Sequence, residues 1–295
     1  MDGRGRDRTW DFTVAAPDRA PGVAAMVGYR NRDEPATIHL GLPSASLTLI
    51  LGLDGGVEAA DAPDRLADAC PNPVLLGGLH THATHVLQRP GQTGIQVAVH
   101  PLASRALFGV PGSELAMAAS NGFDGTALLG RSATELHERL AGAPDWETAF
   151  TLVSRYLVGC HREHDRQAVR GEVGRAWELL ARSRGRFPVG ELAREVGLSA
   201  RHLGTLFRRE VGRSPKTVAT LMRFGHARAL ITENVRRRGR ARFAEVAPEA
   251  GYGDQAHLNR EFVRFTGLSP GAWVAEEFRN IQDGAHTAAK NGHHE

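Results

Sequence analysis

Very little in this 295-residue sequence could staple or anchor it. It holds only two cysteines, Cys70 and Cys160, far apart along the chain. That excludes a disulfide-built scaffold and leaves two reduced thiols as the expectation. No apolar run reaches the ~18 residues of a membrane helix, so no membrane partner is expected. The opening residues, Met1 to Arg8, are polar and lack the apolar stretch of a secretory signal, which makes a cytoplasmic location the expectation.

What is present is uneven. The length suffices for two domains with real cores. Residues 183–278 carry 17 Lys and Arg against 10 Asp and Glu, whereas residues 1–182 carry 17 against 21. A basic back and an acidic front direct a polyanionic partner, double-stranded DNA, to the back alone.

That basic segment says the same thing twice. Val189, Leu192, Ala193 and Val196 form an apolar stripe at i, i+3, i+4 and i+7, and Phe243, Val246, Ala247 and Ala250 repeat it 54 residues later. Gly197 and Gly251 follow, where a tight turn needs positive φ. Ser199 and Asp254 are N-caps for a second helix in each copy, now 55 residues apart, so the second turn is one residue longer. Leu203, Leu206 and Phe207 are the buried stripe of the first such helix, and Leu258, Phe262 and Phe265 that of the second. Gly212 and Gly267 stop them. Ser214-Pro215 and Ser269-Pro270 start new helices, the last carrying Trp273 and Phe278. Helix, glycine turn and helix, twice over, is a duplicated helix-turn-helix plan.

The opposite faces carry the chemistry. Arg201, Thr205 and Arg208 share one, with His202 and Arg209 beside it; Ala256, Asn259, Arg260 and Arg264 share the other. Arginine can donate two hydrogen bonds to guanine, and asparagine can pair with adenine. Ser199 and Lys216, at helix N-termini, suit phosphate.

The signature Glu191-Leu192-Ala193, Gly197-Leu198-Ser199, Phe207-Arg208 and Gly212 to Pro215, followed by Gly251-Tyr252, His257-Leu258-Asn259-Arg260, Phe262 and Phe265 to Pro270, closely resembles the AraC/XylS family of transcription regulators over residues 185–278. The resemblance implies two helix-turn-helix units joined by a long helix and entering successive major grooves. It also implies base contacts from Arg201, Gly204, Thr205, Ala256, Asn259 and Arg260, and phosphate contacts from Ser199, His202, Arg208, Lys216, His257 and Arg264. RNA polymerase and a second copy of the chain, paired through residues 130–182, become candidate partners, and activation the commoner mode. Three departures stand out. Gly204 and Ala256 offer no hydrogen bond to a base, so readout there is apolar or by shape. Pro248 falls inside a helix, which then starts late or is kinked. The run Arg236 to Arg242 is either a flexible phosphate-binding loop or a solvated charge run.

The front half reads as short strands, clearest at Val23–Arg30, Leu47–Leu53 and Ile95–Val99, broken by Gly, Pro and Asp. Helices follow at 133–140, 146–158 and 169–181. The expected fold is an α+β chain of two domains: a strand-rich sensing or dimerisation domain at 1–165, as a cupin-like barrel or a sandwich, a linker helix at 166–184, the all-α DNA-binding domain at 185–278, and a disordered tail at 279–295. His80, His82 and His85, with His100 further on, invite a metal reading if His80 and His82 lie on a strand. No glutamate follows at a cupin spacing, so the expectation is no metal, no cofactor and no catalytic residue, with one of the histidines a polar contact to a small-molecule effector. The function expected is a sequence-specific, effector-responsive transcription regulator. The alternatives are a metal-dependent cupin enzyme fused to a DNA-binding module and an architectural DNA-binding protein.

Overall fold

Alternating apolar residues fix the front half. Leu47, Leu49 and Leu51 point to one side of a strand and pair in register with Val99, Val97 and Ile95, all buried. The structure, a computed structural model, describes residues 10–32, 35–116, 122–164 and 169–282. Its strands are β1 (Trp10–Val14), β2 (Val23–Asn31), β3 (Thr37–Gly41), β4 (Leu47–Gly52), β5 (Glu58–Ala60), β6 (Val74–Gly77), β7 (Thr84–Gln88), β8 (Thr93–Val99) and β9 (Phe123–Asp124). They form two antiparallel sheets, one in the order β1-β2-β8-β4-β6-β9 and a smaller one in the order β3-β7-β5. The sheets do not close on each other, so of the two expected forms the barrel is corrected to open, layered sheets. A small cluster of Val57, Ala59 and Leu75, flanked by Ile50 and Val86, joins them.

The helices are α1 (Ser104–Phe108), α2 (Gly112–Leu115), α3 (Gly125–Leu129), α4 (Arg131–Ala141), α5 (Trp146–His164) and α6 (Gly171–Arg182) in the front and middle. They continue as α7 (Val189–Glu195), α8 (Ala200–Val211), α9 (Pro215–Arg238), α10 (Phe243–Glu249), α11 (Gln255–Thr266) and α12 (Pro270–Gln282). The three expected middle helices are α4, α5 and α6. Helix α12 runs past residue 279, where a disordered tail was expected; residues 283–295 of that tail, the side chain of Phe278 and the N-terminal Met1–Arg8 lie outside what the structure describes. Among the described residues no helix is long and apolar enough to cross a membrane.

One apolar core runs unbroken through both halves. It passes from Leu49 and Val97 of the sheet through Phe150 and Leu157 of α5 and Trp177 of α6 to Phe207, Phe224 and Phe262. The C-terminal helical segment is therefore packed against the front domain, with α6 as the bridge: the His100 ring meets Trp177 edge-on at 5.0 Å.

Candidate nucleic-acid interface

The duplication survives in three dimensions. Helices α7 and α10 are both seven residues long, and α8 and α11 both twelve. Gly197 (φ 70°) and Gly251 (φ 86°) take the left-handed turn between them, where a side chain would strain the backbone. Every expected cap forms. Ser199 Oγ accepts from the His202 N–H at 3.2 Å, and Asp254 Oδ1 from the His257 N–H at 2.6 Å. Ser214 and Ser269 cap α9 and α12 in the same way, each at 3.2 Å.

Each unit contributes its own buried stripe to the shared core. Leu203, Leu206 and Phe207 of α8 are buried beneath Leu192 and Ala193 of α7. In the second unit Phe224 of α9 lies 4.9 Å from both Phe262 and Phe265, and Phe262 lies 5.7 Å from Trp273. Pro248 neither delays nor breaks α10. It sits one residue from the end, where the missing N–H forfeits a single ladder bond, and Ala250 N–H closes the helix on Val246 O at 2.8 Å.

The outward faces lie as follows. Arg201, His202, Thr205 and Arg208 of α8 are exposed, as are Ala256, Arg260 and Arg264 of α11, and Lys216 in the first turn of α9. Thr205 donates its hydroxyl to the Arg201 carbonyl at 3.1 Å, which turns an oxygen lone pair and a methyl group outward. Gly204 is covered: a Cβ there would meet only Arg208 Nη1, at 3.4 Å, so the arginine lies back over the bare backbone. Asn259 is half-buried, and its Oδ1 is enclosed without a hydrogen-bond partner. Pairing with adenine would need that amide to rotate outward. His257 packs edge-on to Tyr252 at 5.2 Å, and Arg264 lies over the Phe265 ring at 4.6 Å, its stem held against the helix. Ser199 is exposed, with its hydroxyl engaged as the cap of α8.

The arginine run is not a loop throughout. Arg236, Arg237 and Arg238 form the last turn of α9, where cations favour the negative end of the helix. Gly239 (φ 71°) ends that helix, and Glu245 takes Arg238 at 3.2 Å and Arg242 at 2.7 Å. The flexible-loop expectation is corrected for this reason: good helix formers extend α9, and an acid on α10 ties down its exit.

The histidines do not meet the condition that the metal reading set. Residues 78–83 are a loop between β6 and β7, so His80 and His82 have no shared strand face. His80 Nδ1 lies 3.4 Å from the Gly78 carbonyl, His82 lies beside the Thr81 hydroxyl, and His100 Nδ1 accepts from Leu102 N–H at 3.2 Å. Among the described residues no three His, Cys, Asp or Glu side chains converge as metal ligands.

The front domain grips the C-terminal ends of both outward helices. On α8, Arg105 Nε donates to Glu210 Oε2 at 2.6 Å, and Ser113 Oγ donates to the Arg209 carbonyl at 2.7 Å. Gly212 (φ 80°) leaves no room for a side chain, because Ala116 Cβ would be 2.6 Å away. Burial pushes the Glu210 carboxyl up, but hydrogen bonds from Arg105 and Arg209 outweigh it and hold the group below the ordinary carboxylate range. On α11, the Phe265 carbonyl accepts from Ala83 N–H at 2.7 Å. Sequence reasoning missed all of these. Glu210 alone left a signal, an acid placed one turn past Phe207 on the buried stripe. Val263 was missed as well; it stands 48% exposed on α11 at the repeat position of Arg208.

Residues 192–276 match the helix-turn-helix domain family and are a helix-turn-helix domain of the AraC type. No curated protein matches the chain. Among solved structures, the chain is similar to ToxT from Vibrio cholerae, at 10% identity and a TM-score of 0.47, over 90% of this chain and 98% of that one. It is similar at 11% identity and a TM-score of 0.48, with the same coverage, to ToxT bound to (E)-4-(8-methylnaphthalen-1-yl)but-3-enoic acid. The AraC-like transcriptional activator CuxR aligns at 15% identity and a TM-score of 0.32, over 74% of this chain and 81% of that one.

Proposed function

We propose that the chain is a sequence-specific transcription regulator that reads DNA with α8 and α11 in successive major grooves. The observation that carries this is the outward row on two equivalently capped helices: Arg201, Thr205 and Arg208 on one, Ala256, Arg260 and Arg264 on the other. Arg201 and Arg260 donate to guanine edges, Thr205 reads with its oxygen and methyl, and Asn259 swings out to adenine. Ala256 favours an apolar thymine methyl, and Gly204 contributes only once the Arg208 side chain lying over it swings away to a phosphate. The N–H groups at the starts of α8, α9 and α11, with His202, Arg208, Lys216, His257 and Arg264, hold phosphates.

The domains divide as a front sensing domain, the α6 linker and the DNA-binding domain. Because the reading faces are open while the helix ends are gripped, a small-molecule effector acts by changing how the grip spaces α8 and α11, through its differential affinity for two arrangements. Paired copies and RNA polymerase complete the assembly at a promoter.

Genome-wide footprinting of the wild-type chain and of Arg260→Ala tests this. Discrete promoter sites, weakened and degenerate at one or two base pairs in the variant, are expected. Uniform occupancy that the substitution leaves unchanged would instead make the protein an architectural binder.

A further inference from the structure

The front half carries more acid than base, yet a cleft in it is lined by arginines. The cleft runs along α5 and has a volume of about 440 Å³. Arg155 and Arg162 stand on one face of that helix, two turns and about 10 Å apart. Between them Gly159 leaves the floor open, since a Cβ there would meet no atom within 4 Å. Val158 adds an apolar patch and Thr151 a hydroxyl that can donate. The Ser154 hydroxyl is already engaged, donating to the Phe150 carbonyl at 2.7 Å. From the loop between β1 and β2, Arg19 lies against the first half of α5. Its Nη2 donates to both Glu147 oxygens at 2.6 Å, its guanidinium stands 5.8 Å from the Phe150 ring, and its Nε is buried without a partner. Among the described residues Arg155 and Arg162 have no ion-pair partner, and no acidic side chain lines the cleft. With Arg19 balanced by Glu147, two positive charges are left over.

We propose that this cleft binds a small, elongated molecule with two anionic ends, carboxylate or phosphate, one at Arg155 and one at Arg162, and an apolar middle over Val158 and Gly159. The forked donors of a guanidinium match the paired oxygens of either group. The volume is that of a small-molecule site, and Arg19, held in place by Glu147, adds a wall that needs no ordering on binding. A second copy of the chain is disfavoured as occupant, because two-fold pairing across this face would set arginine against arginine. The ligand's influence has a route inward: Phe150, Val153 and Leu157 of α5 belong to the same core as Trp177 of α6 and Phe207 of α8. Casting the ligand as the effector rests on the sensing role proposed for the front domain; the binding itself does not.

The test is titration calorimetry on the full-length chain without DNA, in about 0.15 M salt to screen diffuse attraction. The probes are azelate, a linear dicarboxylate, its monocarboxylate of equal length, and inorganic tripolyphosphate. Saturable binding of azelate, one per chain, is expected, with the monocarboxylate at least tenfold weaker. Arg155→Gln with Arg162→Gln should weaken it at least tenfold. Gly159→Leu, which fills the floor, keeps every charge and suits a helix better than glycine, should do the same. Tripolyphosphate binding in place of azelate, with the same losses, would uphold the site and assign phosphate as the anionic group. No saturable binding of either dianionic probe, or an affinity that Gly159→Leu leaves unchanged, would overturn the site. So would a tenfold loss of DNA affinity in the double arginine variant with no probe present, which would assign these arginines to the DNA backbone. Because the binding arms contain no DNA, their failure leaves the DNA-reading proposal standing.

Discussion

The two helix-turn-helix units share a backbone and differ in almost everything attached to it. Turn, cap and helix length repeat, because a short helix pair needs the same glycine, the same N-cap and the same buried stripe each time. The first unit is held from outside, by Arg105, Ser113 and the close approach of Ala116 to Gly212. The second is held from within, by the Phe224, Phe262, Phe265 and Trp273 rings and by the Tyr252 hydroxyl donated to Glu261 at 2.7 Å. The front domain meets it through the bond from Ala83 N–H to Phe265 O. The comparison teaches that local chemistry dictates the unit, while tertiary contacts decide which unit the front domain commands most firmly.

The sharpest way to break this contrast is to empty the inner core. Phe262→Ala should cost about 3–5 kcal/mol and melt the second unit, read by chemical denaturation, with the first unit still folded. A cooperative loss of both would show that the shared core unfolds as one piece. Next, Arg260→Ala should weaken specific binding by roughly 1–3 kcal/mol in a competition assay and relax one or two base pairs. Equal loss on all sequences would contradict base reading. Arg105→Ala should loosen the first unit alone by about 1.5 kcal/mol, since Glu210 keeps Arg209. The stabilisation from Glu210 is present above its ordinary value of 4.5 and fades as pH falls through its depressed one, so the variant's deficit in thermal melting should shrink toward pH 3. A deficit that persists there would assign Arg105 a packing role. The smallest effect concerns Arg236, Arg237 and Arg238. Neutralising them should flatten the salt dependence of DNA binding and leave the preferred site unaltered. An unchanged slope would make that helix end a bystander.

Local rules made the duplicated unit legible because caps, turns and stripes are short-range. Gly197, Ser199, Gly212, Asp254 and Gly267 each act within a few residues, and all took the expected conformation. The outward positions of Arg201, Thr205, Ala256 and Arg260 followed from the same periodicity. Closure of the sheets was not legible, because alternation fixes which face of β4 is buried and says nothing about what covers the other. Whether His80 and His82 share a strand face was open for a related reason: a loop rich in polar residues mimics a strand's alternation. Contacts such as Arg105 to Glu210, 105 residues apart, have no local signature at all. Asn259 lies between these cases, placed on the right helix by periodicity and turned partly inward by packing.

Hydroxyl-radical footprinting of the wild-type chain on its selected site, beside Arg201→Ala and Arg260→Ala, bears most directly on the claim that two separate helices read DNA. Two protected segments about 10 base pairs apart are predicted, with each variant losing base discrimination at one segment only. A single protected segment, or both variants degrading the same one, would contradict it.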